Sequence, residues 1–157
     1  MAFLGIDLGT GGIRCILVDE DGAVITEASR RIRRLNLSTR AGESEQDPVD
    51  WIEALEDTLD ELFAKTLHRR VLAIAVDSTS GTILPVNHSG KPIGPALLHN
   101  DVRSVEELDA CESVFTGDCS PTFSLPKIFW MQKHLNLPEQ NSSLKPLVSD
   151  QLGGTFT

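Results

Sequence analysis

Apolar and polar residues fall in short blocks along the first third of the chain. FLGI at residues 3–6 is an apolar run of strand length that ends on Asp7. After Gly9, Thr10, Gly11 and Gly12 a second run, IRCILV at 13–18, closes on Asp19. The pattern predicts two strands joined by a glycine-rich turn, because glycine permits positive φ and a close backbone path with little side-chain bulk. Asp19-Glu20-Asp21-Gly22 marks a second turn, and AVITEA at 23–28 predicts a third strand, completing an antiparallel meander. Residues 30–42 are polar and read as an extension of that strand followed by a loop.

The period then changes. Val49, Trp51, Ile52, Leu55, Leu59, Leu62, Phe63 and Leu67 recur mostly three or four apart, while Glu53, Glu56, Asp57, Asp60 and Glu61 fill the other face. This predicts an amphipathic helix packed on a sheet, with Asp47 at its N-cap and Pro48 in its first turn. Its acidic face reads as solvated surface. VLAIAV at 71–76 is unbroken and predicts a strand buried on both faces. A polar turn, Asp77-Ser78-Thr79-Ser80-Gly81-Thr82, leads to a further strand at 83–86 and a turn at 87–92. The order β-β-β-α-β is that of the ribonuclease-H-like core, an α/β fold with a mixed sheet and flanking helices. In that core the first and fourth strands lie side by side. The turns after Ile6 and Val76 are then expected to meet at one crevice, where ligands of open α/β sheets sit.

Further on, a short apolar strand at 96–98 runs into Asn100-Asp101, which is expected to cap a helix over 102–114. Ser124 is the expected cap of a helix through His134, with Pro126 in its first turn. Phe129 and Trp130 within it read as core. Residues 137–141 read as a linker, and 144–148 begin another apolar element. His88 and His99 have no partner at ligand spacing and read as loop residues.

Composition narrows the class. The 157 residues carry a net charge of −9, which argues against a nucleic-acid partner. The one basic run, Arg30-Arg31-Ile32-Arg33-Arg34, reads as a solvated face. Cys15, Cys111 and Cys119 show no metal-ligand spacing. Their odd number argues against a disulfide framework and fits a reducing, cytoplasmic setting. No apolar stretch reaches membrane-spanning length, and no signal pattern opens the chain, so no membrane partner is expected.

The candidate chemistry lies in the first hairpin. Turn amides can form an anion nest, the Thr10 hydroxyl adds a donor, and Asp7 stands at its mouth, where a magnesium-bound water can be held. No lysine follows the glycines as in a P-loop, and a strand follows them where a dinucleotide fold has a helix. The pattern D-x-G-T-x-x-x-R between strands resembles the first phosphate segment of actin-like ATPases. Four stretches in order resemble the N-terminal domain of the FGGY family of carbohydrate kinases. They are GIDLGTGGIRCILVD, ESEQDPVDW, AVDSTSGTILPVNHSGKPIGPALLHNDVR and SPTFSLPKIFWMQKH. DSTSGT resembles the turn of the ribulose-kinase side of that family, where xylulokinases and glycerol kinases usually carry a bulkier, glutamine-containing one.

The resemblance implies an ATP-dependent kinase for a ketopentose of the ribulose or xylulose type, or a related polyol, using ATP and Mg2+. It implies phosphate contacts at Gly9, Thr10, Gly11, Gly12 and Arg14, a water-mediated metal contact at Asp7, and a sugar bordered by Ser78, Thr79, Ser80, Gly81, Asp101 and Arg103. The family's catalytic base and adenosine segment belong to the second half of a full-length kinase, beyond Thr157. Residues 1–157 are thus expected to be a partial N-terminal domain, with the ribonuclease-H-like fold incomplete at its C-terminus and no turnover alone. A homodimer is allowed for the full-length protein. The alternative is a non-catalytic module, derived from a sugar kinase, that holds a sugar or a partner. A chaperone-type ATPase is disfavoured by the matches at 77–82 and 100–103.

Overall fold

A computed structural model describes residues 1–66 and 70–135 in full and residues 142–146 by their backbone. The elements in chain order are β1 (Ala2–Gly9), β2 (Gly12–Val18), β3 (Val24–Arg31), β4 (Glu45–Gln46), α1 (Pro48–Ala64), β5 (Val71–Ser78), β6 (Ile83–Asn87) and β7 (Ala96–Leu97). A 3₁₀ turn (Arg103–Glu107), α2 (Leu108–Val114), α3 (Ser124–His134) and β8 (Ser142–Pro146) follow. Leu67, the 137–141 linker and residues 147–148 lie outside the described residues. No described helix is long and apolar enough to cross a membrane. The chain forms two compact units, Met1–Leu35 with Val49–Thr79, and Asn36–Pro48 with Ser80–Thr157.

The first unit is a four-stranded sheet in the order β3-β2-β1-β5, with β1 antiparallel to β2 and parallel to β5. Strand period 2 sorts β2: Ile13, Cys15 and Leu17 are buried while Arg14 and Ile16 are exposed. Helical period sorts α1, whose Ala54 and Leu62 join Leu4, Ile13, Cys15, Leu17 and Ala28 in one cluster. Leu17 and Leu62 are fully buried there, and truncating either to alanine costs about 2–5 kcal/mol. Burial raises the Cys15 thiol pKa.

Two expectations about this unit change. β5 is not buried on both faces: Leu72, Ile74 and Val76 are exposed, Ile74 by 62%. It is the edge of the sheet, paired among the described residues only with β1, so its apolar composition is not matched by cover there. The basic run is likewise more than a solvated face. Arg30 pairs with Glu61, and Arg33 and Arg34 converge on the buried Asp50, so the end of β3 is fastened to α1 at both of its ends.

The second unit holds a sheet in the order β4-β7-β6-β8, all antiparallel. Ile83, Leu97 and Met131 form its described core, with Ile128, Trp130 and Leu135 packed against it. Three expected features differ. The helix at 102–114 is a 3₁₀ turn followed by α2; Asp101 Oδ1 accepts the Arg103 N–H at the start of the turn, as expected, whereas α2 begins with no side-chain cap. Ser124 is the first residue of α3 and not its cap, since Phe123 takes the cap position. Cys111 and Cys119 form a disulfide between α2 and the segment before α3, leaving Cys15 as the free, buried cysteine. The odd count was thus no argument against a bridge: two cysteines pair locally and the third serves the core.

Candidate functional site

Parallel pairing of β1 with β5 sets Ile6 opposite Val76, Asp7 opposite Asp77 and Leu8 opposite Ser78. The turns that leave the two strands therefore start together. The Thr79 N–H donates to the Leu8 carbonyl at 3.3 Å, and the Thr10 and Thr79 hydroxyls are 3.3 Å apart. The expected meeting of two polar turns is met by residues 77–79 in the first unit.

The hairpin turn is glycine-rich for a reason other than positive φ. None of Gly9, Gly11 and Gly12 lies in the left-handed region. At Gly12 a Cβ would stand 2.5 Å from the Arg30 carbonyl oxygen, so close approach of β3 excludes a side chain. At Gly11 a Cβ would meet nothing within 4 Å, which leaves the tip of the turn open to a ligand.

Asp7 and Asp77 stand on one face of the sheet, opposite α1, beside a depression of about 730 Å³ that Arg14 and Ser29 also line. The Arg14 Nη1 lies 3.5 Å from Asp7 Oδ2, with the two side chains 80% and 48% exposed. Such a pair contributes about 0–1 kcal/mol, so Asp7 is easily drawn to another cation. Hydrated magnesium asks for only one or two carboxylates and keeps its waters and phosphate oxygens. Solvent-facing Asp7 and Asp77, next to an open turn tip, fit that demand.

Ser80, Gly81, Asp101 and Arg103 belong to the second unit. Gly81 has φ +71°, and a Cβ there would be 3.3 Å from the Thr122 carbonyl oxygen, so the turn is tied to glycine by conformation and by space. Asp101 is fully buried. Its Oδ2 accepts the Ser44 N–H at 2.7 Å, and its Oδ1 accepts the Arg103 N–H at 2.9 Å and Nε–H at 3.0 Å. Arg103 Nη2 also forms ion pairs with Glu45 Oε2 at 2.8 Å and Glu43 Oε2 at 3.7 Å. Its guanidinium lies 5.1 Å from the Trp130 ring centroid. The Ser38 hydroxyl, donating at 2.6 Å, is the main reason the Glu43 carboxyl is held below the usual carboxylate range. Asp101 and Arg103 are therefore brought together, each already engaged by the protein.

Sequence reasoning missed Lys127, which is fully buried on α3. Its signal was available: it lies four residues before Met131, on the face that carries the helix into the core. Sequence reasoning included Glu43, Ser44 and Glu45 within ESEQDPVDW but gave them no part in the site, since their role depends on pairing with a segment more than fifty residues away.

A meander, a helix and a fourth strand parallel to the first, with a glycine hairpin at the strand ends, make the fold of sugar kinases built on the actin-like ATPase core. The chain belongs to the FGGY family of carbohydrate kinases, whose N-terminal domain matches residues 2–151. A xylulose kinase of Staphylococcus epidermidis (strain RP62A) is 33% identical over 138 residues, covering 83% of this chain and 27% of its own. A xylulose kinase of Lactococcus lactis is 32% identical over 156 residues, covering 92% and 30%. Among solved structures, a xyloylose kinase of Brucella ovis superposes with a TM-score of 0.77 at 25% identity, over 85% of this chain and 30% of that one. A glycerol kinase of Plasmodium falciparum crystallised with ADP, at 18% identity and a TM-score of 0.73 over 86% and 29%, shares the fold. The chain thus spans less than a third of the length of the curated relatives it matches.

Proposed function

We propose that this chain is a partial N-terminal domain of an ATP-dependent kinase for a ketopentose of the ribulose or xylulose type, or a related polyol. The observation that carries the reading is the β1–β5 register, which sets the glycine hairpin beside Asp77, Ser78 and Thr79, where the DSTSGT turn begins, within the first unit. Phosphoryl transfer calls for alignment and charge stabilisation more than for covalent help from protein. Magnesium-bound ATP supplies the transferable phosphoryl group when present. The backbone of Gly9, Thr10, Gly11 and Gly12 would line its phosphate path, with Arg14 nearby, and Asp7 would hold the metal through water. Ser78, Thr79, Ser80 and Gly81 border the sugar. Asp101 and Arg103 shape that border from beneath, because their charges are spent on Ser44, Glu45 and each other. The protein works where cytoplasmic ATP is available.

The base that deprotonates the sugar hydroxyl belongs, by resemblance, to a later part of a full-length kinase. Coupled ADP release with D-xylulose, ribulose and glycerol is therefore expected from a full-length version and not from the 157-residue chain. Clear turnover by the 157 residues refutes the missing-base reading. A full-length version that binds sugar by calorimetry and releases no ADP refutes the enzyme in favour of a binding module.

A further inference from the structure

Lys127 is a buried ammonium that the proposed phosphoryl transfer does not employ. Its Nζ donates to the Leu98 carbonyl at 2.7 Å, to the Gly81 carbonyl at 2.8 Å and to the His99 carbonyl at 3.3 Å. An ammonium has three donors, and here all three are used. Among the described residues no carboxylate lies within ion-pair distance of it, although Asp101 is near enough to act on it through space. Burying a cation against carbonyl dipoles alone is costly, and an apolar side chain of similar length fills the same volume more cheaply. What the ammonium adds is direction. Its acceptors come from two separate segments, the 80–82 turn and the 98–101 stretch, and the donor comes from a third, α3.

We propose that Lys127 is a positioning residue whose ammonium fixes the 80–82 turn and the 98–101 segment to each other. It does so from behind, leaving the exposed Ser80 hydroxyl and the outer side of Gly81 as one preset wall. Neighbouring contacts agree with a shared seat. The Leu98 carbonyl also accepts the Asp101 N–H at 3.0 Å, and a Cβ on Gly81 would be 3.7 Å from His99 Cα. A change at Lys127 is then felt by both segments together. That the wall faces a sugar rests on the function proposed above; the fixing of the two segments does not.

The test uses the 157-residue chain and residue-resolved amide exchange. Lys127→Met is expected to speed exchange at residues 80–83 and 98–102 together by at least tenfold, while the amides of α3 and of the first unit keep their rates. Acceleration of one segment alone, of neither, or of the whole unit equally overturns the proposal. Lys127→Gln, shorter and still a donor, is expected to restore part of the protection. If neither variant folds, the wild-type protein decides. Its Lys127 ammonium is expected as a slowly exchanging ¹⁵Nζ resonance with cross-hydrogen-bond couplings to the Gly81 and Leu98 carbonyls, and a rapidly exchanging ammonium overturns the proposal. Titration with D-xylulose separates the two claims. Shifts at 78–83 and 98–103 in the wild type, weakened at least tenfold in Lys127→Met, support both. Equal shifts and affinity in the two proteins overturn the positioning role. No shifts in the wild type count against the sugar reading alone, and the exchange rates still decide the role of Lys127.

Discussion

Asp50 fastens the chain after β3 to the first turn of α1, and neutralising it measures that clamp. Its side chain is fully buried; its oxygens accept from Arg34 Nε at 2.7 Å, Arg33 Nη2 at 3.0 Å and Arg34 Nη2 at 3.1 Å. The hydrogen bonds from Arg34, more than those from Arg33, hold the carboxyl below the usual carboxylate range against the opposing effect of burial. A hydrogen bond to a charged group contributes about 1.5–3 kcal/mol. Three of them do not add here, because Arg33 and Arg34 are 67% and 45% exposed and rehydrate when released. Asp50→Asn keeps the shape and loses the charge, so the expected loss is about 2 kcal/mol, near the value of one such bond. The pH dependence follows in sign. The folded-state pKa lies below the unfolded value of about 3.9, so the contribution is complete above it and is lost as pH falls through the folded value. Urea titrations followed by the fluorescence of the buried Trp51, at neutral pH and at about pH 3, check both parts. The two proteins should differ by about 2 kcal/mol at neutral pH and converge in acid. An equal gap at both pH values, or none at neutral pH, refutes the charged clamp.

Other perturbations probe the two turns and the second unit. Gly12→Ala places a methyl group 2.5 Å from the Arg30 carbonyl oxygen and is expected to cost about 1–3 kcal/mol in thermal unfolding, with amide shifts concentrated in the hairpin. Gly81→Ala, forced into the left-handed region, is expected to cost about 1–2 kcal/mol on the same measurement, with little change in the first unit's amides. Thiol titration is expected to find no reactive cysteine in the folded oxidised protein, one on unfolding and three after reduction, following the Cys111–Cys119 bridge and buried Cys15; two or three thiols in the unfolded, unreduced chain contradict the bridge. Burial pushes the Lys127 ammonium down to about 8. Between there and the ordinary lysine value of about 10.4 the unfolded chain holds more protons than the folded one. Stability is therefore expected to rise with pH across that window in the wild type, and the rise to be absent in Lys127→Met.

Much of the first unit was legible because β2 and α1 each obey one period. Alternation in β2 and the three-four spacing of α1 both follow from a single buried face, and a local rule suffices for each. β5 shows where such a rule fails. An unbroken apolar run reports that a strand is compatible with burial, and cover depends on what else packs there; among the described residues it is an edge. Arg33 and Arg34 fail in the opposite direction. Charged residues in a row look solvated until a distant acid, Asp50, is known to lie beneath them.

The candidate site divides along the same line. Gly12 was singled out for positive φ and for a close backbone path; it does not adopt the first, and the close approach is that of β3, a partner no local reading identifies. Asp101 and Arg103 were singled out from a motif, whose letters do not tell whether a charge faces a ligand or the protein. With Ser44 and Glu45 supplying the partners, both charges are met within the protein. Lys127 carries the point furthest. A lysine on the apolar face of α3 is an anomaly visible in the sequence, yet its acceptors are main-chain carbonyls, and every residue has one. Only the fold can say which three it meets, and those three lie in the very segments that the motifs single out.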